Sequence, residues 1–140
     1  MRGMEEEERR RVGRGCFGCG HLNPKGLKLA FRLEDGVAVA EFDPDPEHRG
    51  YPGLMHGGLV ATILDEAMAY TYFPETKGVT AKAEFRFKQP APVGMPLVVT
   101  ARLVKRTRKI LTTQASIALR DGTVIAECTA QAYVVSPGGA

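Results

Sequence analysis

The chain has 140 residues, 44% of them apolar and 25% charged, with a net charge of +3. That balance suits one globular domain around a single core and excludes disorder, collagen-like repeats and a disulfide-stapled scaffold, the three cysteines being an odd number. The charge is too small to argue for nucleic acid, no apolar run reaches the ~18 residues of a bilayer span, and Met1 to Arg14 lacks the hydrophobic stretch of a secretory signal, so the expectation is no nucleic acid, no membrane and a cytoplasmic location.

Glu5 to Glu8 followed by Arg9 to Arg11 can form a short surface helix through i,i+4 pairing or remain a solvated tail. Residues 1–21, with the Cys16-Phe17-Gly18-Cys19 segment, are read as a tail ahead of a domain at 22–140. Leu27, Leu29, Phe31 and Leu33 alternate with polar positions, the period of a half-buried strand. Asp35-Gly36 signals a hairpin, and Val37 and Val39 continue a second strand that Pro44 and Pro46 stop. Residues 44–58 are dense in glycine and proline and read as a long, functional loop. Leu59 to Phe73 is the one convincing helix, apolar nearly all round and therefore buried, with Pro74 ending it. In the next strand Val79, Ala81, Ala83, Phe85 and Phe87 alternate with Thr80, Lys82, Glu84, Arg86 and Lys88. Strands at Leu97–Arg106, Ile110–Arg120 and Thr123–Val135 follow, the last two joined by Asp121-Gly122. Two strands, a helix and four strands predict an α+β fold, an antiparallel sheet of about six strands curled around one central helix. Such a helix needs cover on its far side, which predicts a dimer at least.

Asp65 and Glu66 lie inside this apolar helix, and a carboxylate removed from water is costly unless paired. Each has a structural reading, a hydrogen bond to backbone or to a neighbouring subunit, beside the functional one. At about 100° per residue the two point to different walls. The helix opens on His56-Gly57-Gly58, where the first turn offers unpaired N–H groups, and glycines let a ligand approach the backbone. Those donors suit a carbonyl oxygen that gains negative charge.

His56-Gly57-Gly58 with Asp65 nine positions after the histidine resembles the signature of hotdog-fold thioesterases of the PaaI-like (phenylacetyl-CoA thioesterase) group. The Gly/Pro-rich approach, the single helix and the strand from Gly78-Val79-Thr80 to Gln89-Pro90-Ala91 agree, so the resemblance spans about residues 22–135. It implies an acyl-CoA thioesterase, with no cofactor beyond the CoA of the substrate and no metal. Asp65 would be base or nucleophile, and Gly57 the backbone donor to the thioester carbonyl. Gly58 would shape the turn, His56 would order the loop, and Thr80 would bring a hydroxyl from the partner subunit. Glu66 is the runner-up base. The resemblance also implies a homodimer or a dimer of dimers.

Lys105 to Lys109 reads either as a solvated hairpin or as a clamp for the CoA phosphates through Arg106, Arg108 and Lys109, with Arg86 and Lys88 as weaker candidates. Cys16, Cys19 and His21 offer three zinc ligands where a structural site wants four, so a metal-free lid is expected. A non-catalytic acyl-CoA sensor is the alternative function. A hotdog dehydratase fits the spacing less well.

Overall fold

The computed structural model describes residues 14–73 and 75–137. The acidic and basic run at residues 5–11 and the helix stop assigned to Pro74 lie outside the described residues. The elements are β1 (Arg32–Glu34), β2 (Val37–Phe42), α1 (Gly57–Tyr70), β3 (Thr76–Phe87), β4 (Leu97–Arg106), β5 (Ile110–Leu119) and β6 (Val124–Pro137), with a 3-10 turn at Pro46–His48. The strands form one antiparallel sheet in the order β1-β2-β4-β5-β6-β3. The helix lies across its inner face, mainly over β4 and β5. This is the antiparallel sheet around one helix that the element order predicts, and the hotdog fold that the resemblance implies.

Alternation and turn chemistry account for most of it. Ala38, Ala40 and Phe42 point inward from β2, and Leu97, Val99 and Ala101 from β4. They meet Val60, Ile63, Leu64, Ala67 and Met68 of α1, the side the helical period assigns to the core. Asp35 and Gly36 take φ of 52° and 80°, the left-handed pair of a tight hairpin. At the β5–β6 turn Gly122 has φ 95°, and the Asp121 carboxylate accepts from the Thr123 N–H.

Two predicted elements need correction. The strand expected from Leu27 to Leu33 shrinks to Arg32–Glu34, because Lys28 adopts a positive φ of 55° that breaks the extended path. Leu27 and Leu29 are still buried, and their N–H groups donate to the Phe17 and Gly18 carbonyls. The Cys16–Gly20 turn is therefore joined to the domain by backbone bonds. The helix begins two residues earlier than predicted and ends at Tyr70.

The third correction positions the site. In β3, Thr80 pairs with Ala132 and Lys82 with Gln131, so Ala81 is an extra, bulged residue. Directly paired residues share a sheet face. Ala83, Phe85 and Phe87 oppose buried Ala130, Cys128 and Ala126 and face inward. Beyond the bulge the parity flips, and Thr80, opposite buried Ala132, faces the helix as well. Val79 faces outward, 57% exposed, opposite exposed Tyr133. Strict alternation puts Thr80 on the outer face with Lys82 and Val79 inside, and the bulge reverses both.

Candidate active site

His56 caps the helix. Its backbone is extended, and its Nδ1 accepts from the Gly58 N–H at 2.9 Å. With Nδ1 committed to accepting, Nε2 is the ring atom left to face outward from the cap. The Leu59 and Val60 N–H groups donate to the His56 carbonyl. The Gly57 N–H, the first donor of the helix, has no acceptor among the described residues. The loop behind this end is fastened by His56 N–H donating to the His48 carbonyl and Met55 N–H to Ala91. The His48 ring in turn accepts from the Asp45 N–H, which gives that residue a structural place.

The two glycines differ in what they avoid. A Cβ on Gly58 would lie 3.1 Å from the His56 ring, so glycine there makes room for the cap. A Cβ on Gly57 would meet only the Phe87 ring edge at 3.9 Å, an ordinary contact. Gly57 is also absent from the positive-φ residues. Neither backbone angle nor packing among the described residues requires glycine at 57, and its face is open.

Asp65 is half-buried rather than buried, as its place in the apolar helix suggested. Its Oδ1 accepts from the Thr80 hydroxyl at 2.7 Å. The bulge at Ala81 makes this bond possible. The resemblance implies a Thr80 delivered by a partner subunit, whereas the hydroxyl meets Asp65 of its own chain. Gly57 and Asp65 stand eight residues apart on one helix, about 12 Å at 1.5 Å per residue.

Glu66 points to a different wall, as the helical period predicts. It accepts from the Cys16 thiol at 3.4 Å and lies beneath Gly18. Burial pushes its carboxyl above the usual carboxylate range, the thiols of Cys16 and Cys19 pull it back, and the Asp65 charge adds to the rise. It does not share the Asp65–Thr80 position.

The cationic candidates divide between the two ends of the sheet. Arg86 and Lys88 lie near Phe87 and so near Gly57, on exposed positions beside Glu84 and Glu127, with Lys88 Nζ 3.1 Å from Glu127. Arg106, Arg108 and Lys109 lie at the other end, where Arg106 donates to the Thr76 hydroxyl at 2.8 Å. Arg108 and Lys109 have no acidic partner among the described residues. A concavity of about 370 Å³ is lined by outer-face residues including Arg86, Arg102 and Glu127 and by none of the residues around Asp65 or Gly57. A second concavity, of about 810 Å³, is lined by Phe17, Leu27, Phe42, His48 and Leu59, beside the helix start. Among the described residues no helix is long and apolar enough to cross a membrane.

Residues 52–126, more than half of the chain, match the family model of the thioesterase superfamily. The acyl-coenzyme A thioesterase THEM4 of Mus musculus is 30% identical over 90 residues, covering 64% of this chain and 39% of that protein. The chain spans well under half the length of the first curated relatives it matches. A crystallised thioesterase superfamily protein superposes with a TM-score of 0.79 at 26% identity, over 86% of this chain and 60% of the other. The PaaI protein of E. coli, from the phenylacetic acid degradation operon, gives a TM-score of 0.76 at 15% identity over 97% and 92%, a likeness of fold.

Proposed function

The chain belongs to the thioesterase superfamily, and from that premise we propose that it hydrolyses an acyl-CoA thioester to the free acid and CoA. The observation that carries this reading is a half-exposed carboxylate in mid-helix, Asp65, held by one hydroxyl and left with open lone pairs. A carboxylate kept for packing would have its oxygens satisfied. Thr80 fixes one oxygen, and the other is available to take a proton from water or to attack the carbonyl carbon. The Gly57 N–H is the donor for the developing oxyanion, with the positive end of the helix dipole behind it. His56 organises that donor through its cap to Gly58. The CoA thiolate leaves readily, so hydrolysis needs no metal and no further cofactor.

One thioester carbonyl must lie within about 3 Å of both the oxyanion donor and the attacking group. Gly57 and Asp65 of one chain, about 12 Å apart, cannot both serve it. The complete site therefore takes Gly57 from one protomer and Asp65 with Thr80 from its partner. The fold suggests how. β3 is a free sheet edge carrying exposed Val79 and Phe87, a surface that a second copy would cover. Two β3 strands paired antiparallel about a two-fold axis bring the Phe87 end of one against the Thr80 end of the other. Phe87 adjoins Gly57 and Thr80 holds Asp65, so two identical sites form. In such a homodimer, or a dimer of dimers, Arg106, Arg108 and Lys109 are the residues for the CoA phosphates. The outward-facing Arg86 and Lys88, beside Glu127 and Glu84, are weaker candidates.

The test is release of free thiol from a panel of aryl, short and long acyl-CoAs, with Asp65→Asn alongside. Turnover in the native chain and its loss in a folded Asp65→Asn variant are expected. Undiminished turnover in that variant would remove Asp65 from the chemistry. Tight CoA-ester binding with no thiol release from any substrate would favour the sensor reading.

A further inference from the structure

The hydrolysis proposed above assigns no chemical step to the Cys16–Cys19 turn. Its own reading rests on what the fold sets beneath it. The two sulfurs and a Glu66 carboxylate oxygen lie within 4.8 Å of one another, all half-buried. His21, the third ligand suggested by sequence, is exposed and lies outside this group. Glu66 comes from a position 50 residues away and takes its place.

We propose that Cys16, Cys19 and Glu66 bind a thiophilic divalent cation, Zn²⁺ by ligand type, with solvent in the fourth position, and so pin the N-terminal turn to α1. Two sulfurs and a carboxylate oxygen match zinc's preferred donors. The spacing fits as well. Bond lengths of about 2.3 Å to sulfur and 2.0 Å to oxygen put tetrahedral S···O neighbours about 3.5 Å apart. Cys16 Sγ lies 3.4 Å from Glu66 Oε1. The Gly18 N–H donates to Cys16 Sγ at 3.3 Å, a bond that strengthens when the sulfur is a metal-bound thiolate. Gly18 itself shows how closely the turn is fitted. A Cβ there would fall 2.3 Å from Glu66 Cγ, so only glycine lets the turn sit directly on the carboxylate. Two thiols and a carboxyl, which would repel one another once ionised, share a half-buried space. A dication resolves that repulsion, with protons released from the thiols as it binds.

The test uses the full reduced chain, stripped of metal and titrated anaerobically with Co²⁺ and then Zn²⁺. A sulfur-to-cobalt charge-transfer band that saturates at one Co²⁺ per chain, with tetrahedral d–d bands bleached by Zn²⁺, is the expected result. Zn²⁺ should also protect Cys16 and Cys19, but not Cys128, from alkylation mapped by mass spectrometry. Cys16→Ser and Cys19→Ser should each weaken the band. Glu66→Gln should cost at least the roughly 10- to 100-fold in affinity typical of losing an outer-shell partner. No charge-transfer band with both thiols reduced overturns the proposal, as does a Co²⁺ spectrum unchanged in the cysteine variants. So does isolation of the chain with Cys16 and Cys19 joined as a disulfide that Zn²⁺ with reductant cannot replace. If a cysteine variant fails to fold, the native titration and the alkylation map still decide. These readouts do not depend on acyl-CoA turnover, so this proposal and the hydrolase reading fail separately.

Discussion

Mixing two inactive variants tests the shared site most directly. Gly57→Ala should fold normally, since its Cβ meets only Phe87 at 3.9 Å. Alanine also gains up to about 1 kcal/mol over glycine in a helix, so its Tm should hold or rise. Its activity should fall by at least about a hundredfold, the scale of losing one oxyanion donor, because the methyl group stands where the carbonyl must approach. Asp65→Asn should be at least as inactive. In a mixed dimer, the site built from Gly57 of the Asp65→Asn chain and Asp65 of the Gly57→Ala chain is intact, while the other site carries both lesions. Random pairing makes half the dimers mixed, each with one working site of two, so an equal mixture should recover about a quarter of native kcat. The chains carry different tags, are unfolded and refolded together, and are assayed by thiol release beside the separate variants. If every site lay within one chain, mixing would recover nothing. A dead mixture containing proven heterodimers would refute the two-chain site, and a poorly folded Gly57→Ala would refute the claim that this glycine is open toward the outside.

Further expectations follow from other parts of the structure. His56→Ala removes the Gly58 cap and should cost about 1 kcal/mol in denaturant unfolding, with a loss of activity alongside. Replacing Arg108 and Lys109 together by alanine should raise KM, leave kcat near native and flatten the salt dependence of kcat/KM. Ile63→Ala empties a fully buried position between α1 and the sheet and should destabilise by about 2–5 kcal/mol. The Tyr72 phenol is raised from 10.0 to about 12, by burial first and then by Asp65 and Glu66. A raised group contributes stability that is complete below its unfolded value and lost as pH climbs through its folded one. Stability should therefore fall from about pH 10 through 12, and Tyr72→Phe should flatten that arm in a plot of Tm against pH.

The helix was legible because its signals are local. The apolar period, the glycine pair after a histidine and the carboxylates at 65 and 66 all lie within one run of the chain. Strands β2 to β6 were legible from alternation and turn residues, and their sequence order implied the antiparallel sheet. The β1 error came from Lys28, a residue with no turn signature that nevertheless takes a left-handed conformation. Thr80 was identified by resemblance and misplaced by period, because a one-residue bulge at Ala81 leaves no mark in a pattern of small and apolar residues.

The sequence by itself determined the kind of fold, the helix that carries the site and the residue types available for chemistry, all properties of neighbours along the chain. Tertiary structure decided which of these meet. It turned Thr80 toward Asp65 and set Glu66 beneath Cys16. It also left the Gly57 N–H open at the far end of the helix from the carboxylate it is proposed to work with. These pairings join positions 15 to 50 residues apart. Such contacts are set by strand register and by how loops pack over the helix, and neither is written into the periodicity of any one segment.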